Sequence, residues 1–154
     1  MKELRRQDRA ITQEEAHAFL MKAEYGVLST VTADGKPYGV PLSFCVIDQH
    51  LFFHCAVEGQ KLDNLENNQS VSFCVVGNLE LLPEKFGTKY QSVVVAGEAE
   101  EIFAADKQTA LEALVHKYSP QFVDKGLKYI DAMTAKARVF RISMDTVTGK
   151  ARKL

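Results

Sequence analysis

Between Val27 and Cys55 three strand-like runs follow one another with only Asp34-Gly35 and Asp48-Gln49 as connections. Parallel neighbours need a crossover of a dozen or more residues, so links this short make the three runs an antiparallel meander and disfavour a doubly wound parallel sheet. The first run, residues 27–32, is rich in β-branched residues. The second, residues 38–47, alternates, with Val40, Leu42, Phe44 and Val46 on one face and Gly39, Pro41, Ser43 and Cys45 on the other. The third covers residues 51–55.

The remainder of the chain follows the same helix-or-strand arithmetic. Residues 1–10, MKELRRQDRA, are polar and basic and read as an arm. Thr12 and Glu15 have capping-box spacing, and Ala16, Phe19, Leu20 and Ala23 recur at helical intervals before Gly26. Residues 59–68, GQKLDNLENN, predict a short helix with Leu62 and Leu65 inward. A fourth strand over 71–76, a loop over 77–89 broken by Pro83 and Gly87, and a fifth strand over 92–103 come next. A helix over 104–118 carries Leu111, Leu114 and Val115 on one face, and helical sequence resumes from Ser119-Pro120 to about residue 136. Residues 139–147 form the sixth strand, and Thr148-Gly149-Lys150 turns into a basic tail, residues 149–154. The expectation is a single domain over 1–154, α+β and mainly β: a six-stranded antiparallel sheet closed into a small barrel, with flanking helices over its ends.

Nineteen basic against twenty acidic residues leave a net charge of −1, which provides no field for nucleic acid or an anionic membrane. No apolar run approaches the roughly 20 residues of a bilayer span, and charges from Lys2 to Arg9 interrupt any secretory signal, so a cytoplasmic protein is expected. Cys45, Cys55 and Cys74 form no C-x-x-C and sit in apolar runs, as reduced, buried thiols do. His50 and His54 on one strand are about 13 Å apart, too far to share an ion, and no metal site is expected. Dinucleotide, P-loop and nucleophile-elbow signatures are absent from the sequence.

Two features exceed this frame. Pro41 interrupts an apolar strand and removes a ladder donor, which marks either an edge or a place where a ligand meets the backbone. Glu58-Gly59-Gln60-Lys61 opens a short helix, where free N–H groups, a glycine and a lysine form either a solvated cap or a phosphate cradle.

The run GVLSTVTADGKPYGVPLSFCVIDQHLFFHCAVEGQKLDNLENNQSVSFCVV resembles the flavin half of the FMN-binding split barrel, the pyridoxamine-phosphate-oxidase superfamily. Within it the chain is most similar to the 5-nitroimidazole reductase, or nitroimidazole-resistance, proteins, with further support from RRQDRAIT, YQSVVVAGEAEEI and VFRISMDTVTGKARK. The resemblance implies that Val40, Pro41, Leu42 and Ser43 run along the isoalloxazine, and that His54, Cys55 and Ala56 border the ring and ribityl chain. It implies that Gly59, Gln60 and Lys61 hold the FMN phosphate, and that Tyr90, Gln91 and Ser92 reach the flavin of a partner subunit in a homodimer.

The chain also departs from the pyridoxamine oxidases. Positions where those enzymes place cations hold Val40, Cys45 and Gln60, and their C-terminal substrate-binding arginine and tryptophan have no counterpart in MDTVTGKARKL, so vitamin B6 oxidation is not expected. Arg9, Lys89, Lys150 and Arg152 are available to supply charge or are simply solvated. The implied activity is FMN-dependent reduction of a small electron-poor substrate, such as the nitro group of a 5-nitroimidazole antibiotic, with electrons from an external donor. His54 is the candidate catalytic residue, orienting substrate or supplying a proton. The rival reading is a non-catalytic carrier or sensor of FMN or haem on the same barrel, and a deazaflavin is the remaining cofactor alternative.

Overall fold

Thr12 opens the first helix as its spacing predicts: Thr12 Oγ1 accepts the Glu15 N–H at 3.1 Å, and Glu15 Oε2 accepts the Thr12 N–H at 2.9 Å. The computed structural model describes residues 2–153. Helix α1 (Gln13–Lys22) is followed by β1 (Gly26–Val31), β2 (Pro37–Leu42), β3 (Cys45–Ile47), β4 (His50–Cys55) and helix α2 (Gln60–Asn67). Then come β5 (Ser70–Leu82), β6 (Gly87–Ile102), α3 (Ala104–Tyr118), α4 (Val123–Met133), β7 (Arg138–Ser143) and β8 (Thr146–Arg152). Every strand pairing is antiparallel, in the order β2-β1-β5-β6-β7-β4-β3, with β8 also beside β6. The end strands β2 and β3 do not pair, so the sheet is curled but not closed. There are eight strands among the described residues, not the expected six.

The differences from expectation have local causes. The run over 38–47 is two strands, because Ser43 and Phe44 carry the chain from the β1 side of the sheet to the β4 side. The three runs are therefore two hairpins in separate parts of the sheet, not one meander. Residues 77–89 are mostly strand: after a bulge between Gly77 and Glu80, the β5–β6 ladder continues to Leu82↔Gly87. A 3-10 turn, Pro83–Lys85, closes that hairpin. Breaker residues suggest a loop there, but the facing strand supplies the pairing.

The expected tail is β8. Gly149 pairs with Val93, and a Cβ on it would lie 2.6 Å from the Ile11 side chain, so this glycine serves close packing and not a turn. The N-terminal arm is likewise tied down, by a 3-10 turn at Gln7–Arg9 and a bridge from Ala10 to Lys150. Finally, the strand over 139–147 breaks at Met144-Asp145. Ala99 pairs with Ile142 and Ala96 with Thr146, so one extra residue is inserted on that side, a β-bulge. Here β6 bends, giving its first half to β8 and its last residues to β7. A Cβ on Gly97 would sit 1.7 Å from the Ser143 carbonyl oxygen, so only glycine permits the crossing.

Two cores result. Phe44, Phe53 and Phe73 are fully buried inside the curl, and burying each such ring contributes about 1.5–3 kcal/mol. Phe52 and Cys45 face the other way and are covered by Leu111 and Leu114 of α3 and Ile130 of α4. Helix α1 packs on β8, and α2 on β1. No helix among the described residues is long and apolar enough to cross a membrane.

Candidate functional site

Strand β4 turns Leu51 and Phe53 into the inner core and leaves Phe52 and His54 on the helix side, with Val139 of β7 opposite His54. Phe52 and Val139 are sealed by α3 and α4. Past them lies a mainly apolar cavity of about 510 Å³. Ser43, His54, Cys55 and Ala56 form its strand side, and Leu114, Tyr118, Ile130 and Met133 face them from the helices. The far rim is held by Lys107, whose Nζ donates to the Thr134 and Ala137 carbonyls at 2.8 and 2.7 Å.

His54 is exposed at the mouth, and partial removal from water lowers its pKa from 6.5, so at neutral pH the ring is uncharged. Burial pushes the Cys55 thiol up, against the pull of nearby Lys61 and Arg138. A protonated thiol in that place is packing material, not a nucleophile. Burial likewise raises the Cys45 thiol to about 11. The cysteines are free, with Cys45 and Cys55 buried and Cys74 half-buried.

The crossover at Ser43-Phe44 is clamped by the end of α3. Tyr118 Oη accepts the Phe44 N–H at 2.9 Å and lies 2.6 Å from the Glu24 carbonyl. Lys117 Nζ donates to the Phe44 carbonyl at 2.8 Å and stands 4.0 Å from the centre of the Phe44 ring. Pro41 lies in β2, whose only partner among the described residues is β1. Pro37 and Pro41 share one strand parity, so both nitrogens can face away from β1 without losing a ladder bond. The free edge of β2 is thus available to a ligand. Val40 and Leu42 are half-buried against the inner core and do not line the cavity.

Gly59 caps α2 with φ +140°, a conformation that strains any L side chain, and a Cβ there would meet nothing. The Leu62 and Asp63 N–H groups bond the Gly59 carbonyl, while those of Gln60 and Lys61 precede the first helical bond and point outward. Lys61 has no carboxylate partner among the described residues. Outward N–H groups, open space over a glycine and an unpaired lysine match the needs of a phosphate dianion. The Gln60 side chain bonds Asn64 at 2.8 Å, so what Gln60 offers a ligand is its backbone N–H.

The structure thus gathers Ser43, His54, Cys55 and Ala56 at one cavity and keeps Gly59–Lys61 just beyond the end of β4. Tyr90, Gln91 and Ser92 are elsewhere, on β6 opposite Arg152, Ala151 and Lys150. The helix wall of the cavity is not legible in the sequence: Leu114 reads from periodicity as plain core, and the stretch that carries Ile130 reads only as helical. Periodicity marks an apolar face but does not say that its end will be left uncovered.

A model described as pyridoxamine 5'-phosphate oxidase matches residues 12–151. The fold is shared with a proposed 5-nitroimidazole antibiotic resistance protein from Bacteroides thetaiotaomicron, 21% identical, with a TM-score of 0.75 over 92% of this chain and 86% of that one. A conserved hypothetical protein from Mycobacterium tuberculosis superimposes with a TM-score of 0.83 at 21% identity, over 97% and 90% of the two chains. A FAD-binding protein from Mesorhizobium loti is 27% identical, with a TM-score of 0.66 over 94% and 98%. Among curated proteins, none matches the sequence.

Proposed function

The chain belongs to the pyridoxamine 5'-phosphate oxidase family, and from that premise we propose that it is an FMN-dependent reductase of small electron-poor substrates, 5-nitroimidazoles among them. The observation that carries this reading is the apolar cavity at His54–Ala56, next in the chain to the Gly59–Lys61 cradle. The Mesorhizobium relative, named as FAD-binding, and the Bacteroides protein, named for nitroimidazole resistance, support it.

In this reading Lys61 and the free N–H groups at the start of α2 hold the FMN phosphate. The free edge of β2 at Val40–Leu42, with Ser43 just beyond it, would meet the flavin ring through backbone groups. FMN supplies the hydride and electron transfer that no side chain can, drawing on an external donor. The chain's own part is to position and to exclude water. Leu114, Ile130 and Met133 present an apolar wall to an uncharged planar substrate, and the neutral His54 ring can hydrogen-bond a polar substituent at the mouth. His54 therefore orients substrate at neutral pH and supplies a proton only as acidity increases.

A homodimer completes the proposal. Tyr90–Ser92 lie away from their own subunit's cavity, and the β5–β6 hairpin exposes Leu79, Leu81 and Phe86. A cytoplasmic setting supplies the reduced donor, and antibiotic resistance is the outcome when the nitro group is the one reduced.

The ultraviolet–visible spectrum of the purified protein tests this reading. We expect two flavin bands and stoichiometric FMN on heat release, followed by turnover of a 5-nitroimidazole. A Soret band would instead support a haem carrier with His54 as ligand, and a colourless protein that ignores added FMN would end the flavin proposal.

A further inference from the structure

The chain has six arginines, and two of them, Arg138 and Arg141, pair with Glu101 and Glu100 on the β6–β7 ladder. Three of the other four, Arg6, Arg9 and Arg152, line one hollow of about 330 Å³ together with Lys153. The protein's net charge is −1, so this concentration of cations is local.

The carboxylates do not cancel it. Asp8 is the acidic residue lining the hollow; both its oxygens bond the Arg6 guanidinium, which holds its pKa at about 2. Lys153 reaches Glu15 at 3.3 Å. Arg9 and Arg152 have no carboxylate partner among the described residues.

The backbone that carries Arg9 is held in place, and the Arg152 side chain packs on a neighbouring strand. Arg9 ends the N-terminal 3-10 turn, and the bridge from Ala10 to Lys150 fixes that turn against β8. The Ile11 N–H donates to the Gly149 carbonyl at 3.1 Å one residue further on. The Arg152 guanidinium lies directly over Gly87, where a Cβ would be 1.9 Å from Nη1. Any other residue at 87 would displace the guanidinium. Arg9 and Arg152 are both half-buried residues lining this one hollow, and the planar forks of their guanidiniums match the geometry of a doubly charged oxyanion.

We propose that Arg9 and Arg152 form a binding site for a phosphate or diphosphate group, separate from the cradle at Lys61. The hollow shares Ala151, Arg152 and Lys153 with a second one, which is also lined by Tyr90 and Gln91. Because the single phosphate of FMN is assigned to the Lys61 cradle, the group bound here is the diphosphate of a separate nucleotide electron donor, an assignment that rests on the proposed flavin reading.

Isothermal titration of the full-length protein with pyrophosphate, as purified and after flavin removal, tests the site. Arg9→Gln and Arg152→Gln should each weaken pyrophosphate at least tenfold, Arg152→Lys less, and Lys128→Gln on the exposed face of α4 not at all. Far-UV circular dichroism shows that each variant is folded. If pyrophosphate binds alike in the presence and absence of flavin, and both Gln variants retain flavin, the ligand is a separate nucleotide. If pyrophosphate binds only the flavin-free protein, and the Gln variants also lose flavin, the hollow belongs to the flavin site and the proposal of a separate site is overturned. Failure of pyrophosphate to bind at millimolar concentration, or equal binding by wild type and both folded Gln variants, overturns the proposal. The arms do not require nitroreductase activity, and loss of flavin in Lys61→Ala alone would leave this site standing.

Discussion

Asn64 Nδ2 donates to Thr30 Oγ1 across 2.9 Å, joining the two buried polar side chains of the described protein. The bond has neighbours on either side: Gln60 Nε2 donates to Asn64 Oδ1 at 2.8 Å, and Thr30 Oγ1 lies 3.5 Å from the Tyr38 carbonyl. This relay ties the first turn of α2 to β1 and the edge strand β2. The phosphate cradle and the strand proposed to face the ring are thereby held in one geometry.

Asn64→Ala should cost about 1–3 kcal/mol, because it leaves the Thr30 hydroxyl buried with only a long contact. Urea denaturation measures the loss. Adding Thr30→Val should recover part of it, and strict additivity of the two changes would show that the bond carries no coupling.

Lys61→Ala should weaken FMN binding by about 1.5–3 kcal/mol, the range for a hydrogen bond to a charged group. Flavin fluorescence quenching reads this directly. Unchanged affinity would remove the phosphate from the start of α2.

Tyr118→Phe deletes the acceptor for the Phe44 N–H, and Phe44 is fully buried. A loss of about 1–3 kcal/mol in stability is expected. Weaker flavin retention should accompany it, since the same hydroxyl fixes the crossover that carries Ser43. Stability lost with flavin affinity intact would confine Tyr118 to a purely structural role.

His54 titrates below 6.5 in the folded chain because its charged form is poorly solvated. The unfolded chain then binds more protons in the window from 6.5 down to the lowered value, so stability falls as pH drops through that window and is indifferent above it. His54→Gln should flatten this dependence. It should leave flavin bound while lowering nitroreduction; NMR titration of the imidazole and a pH–rate profile check the two halves. A His54 signal titrating above 6.5 would contradict the direction.

Much of this was readable from local pattern. The capping box at Thr12, the helix over 104–118, the short helix opening at Gly59, the Asp34-Gly35 turn and the face assignment of Val40, Leu42, Phe44 and Val46 each depend on residues within a turn or two of one another. The family resemblance placed Ser43, His54, Cys55 and Ala56 near one ligand, and the cavity does bring those four together.

Whatever depended on distant partners was not readable. The β5–β6 hairpin looked like a loop because Pro83 and Gly87 are breakers, yet the facing strand carries the ladder to its end. The break at Met144-Asp145 and the strand identity of residues 146–152 follow from Gly97, some fifty residues away, where only a missing Cβ lets β7 and β8 share one edge of β6. The helix wall of the cavity and the arginine hollow are products of the same kind. Periodicity tells a residue which way to face along its own element; what it faces is set by the packing of elements far apart in the chain.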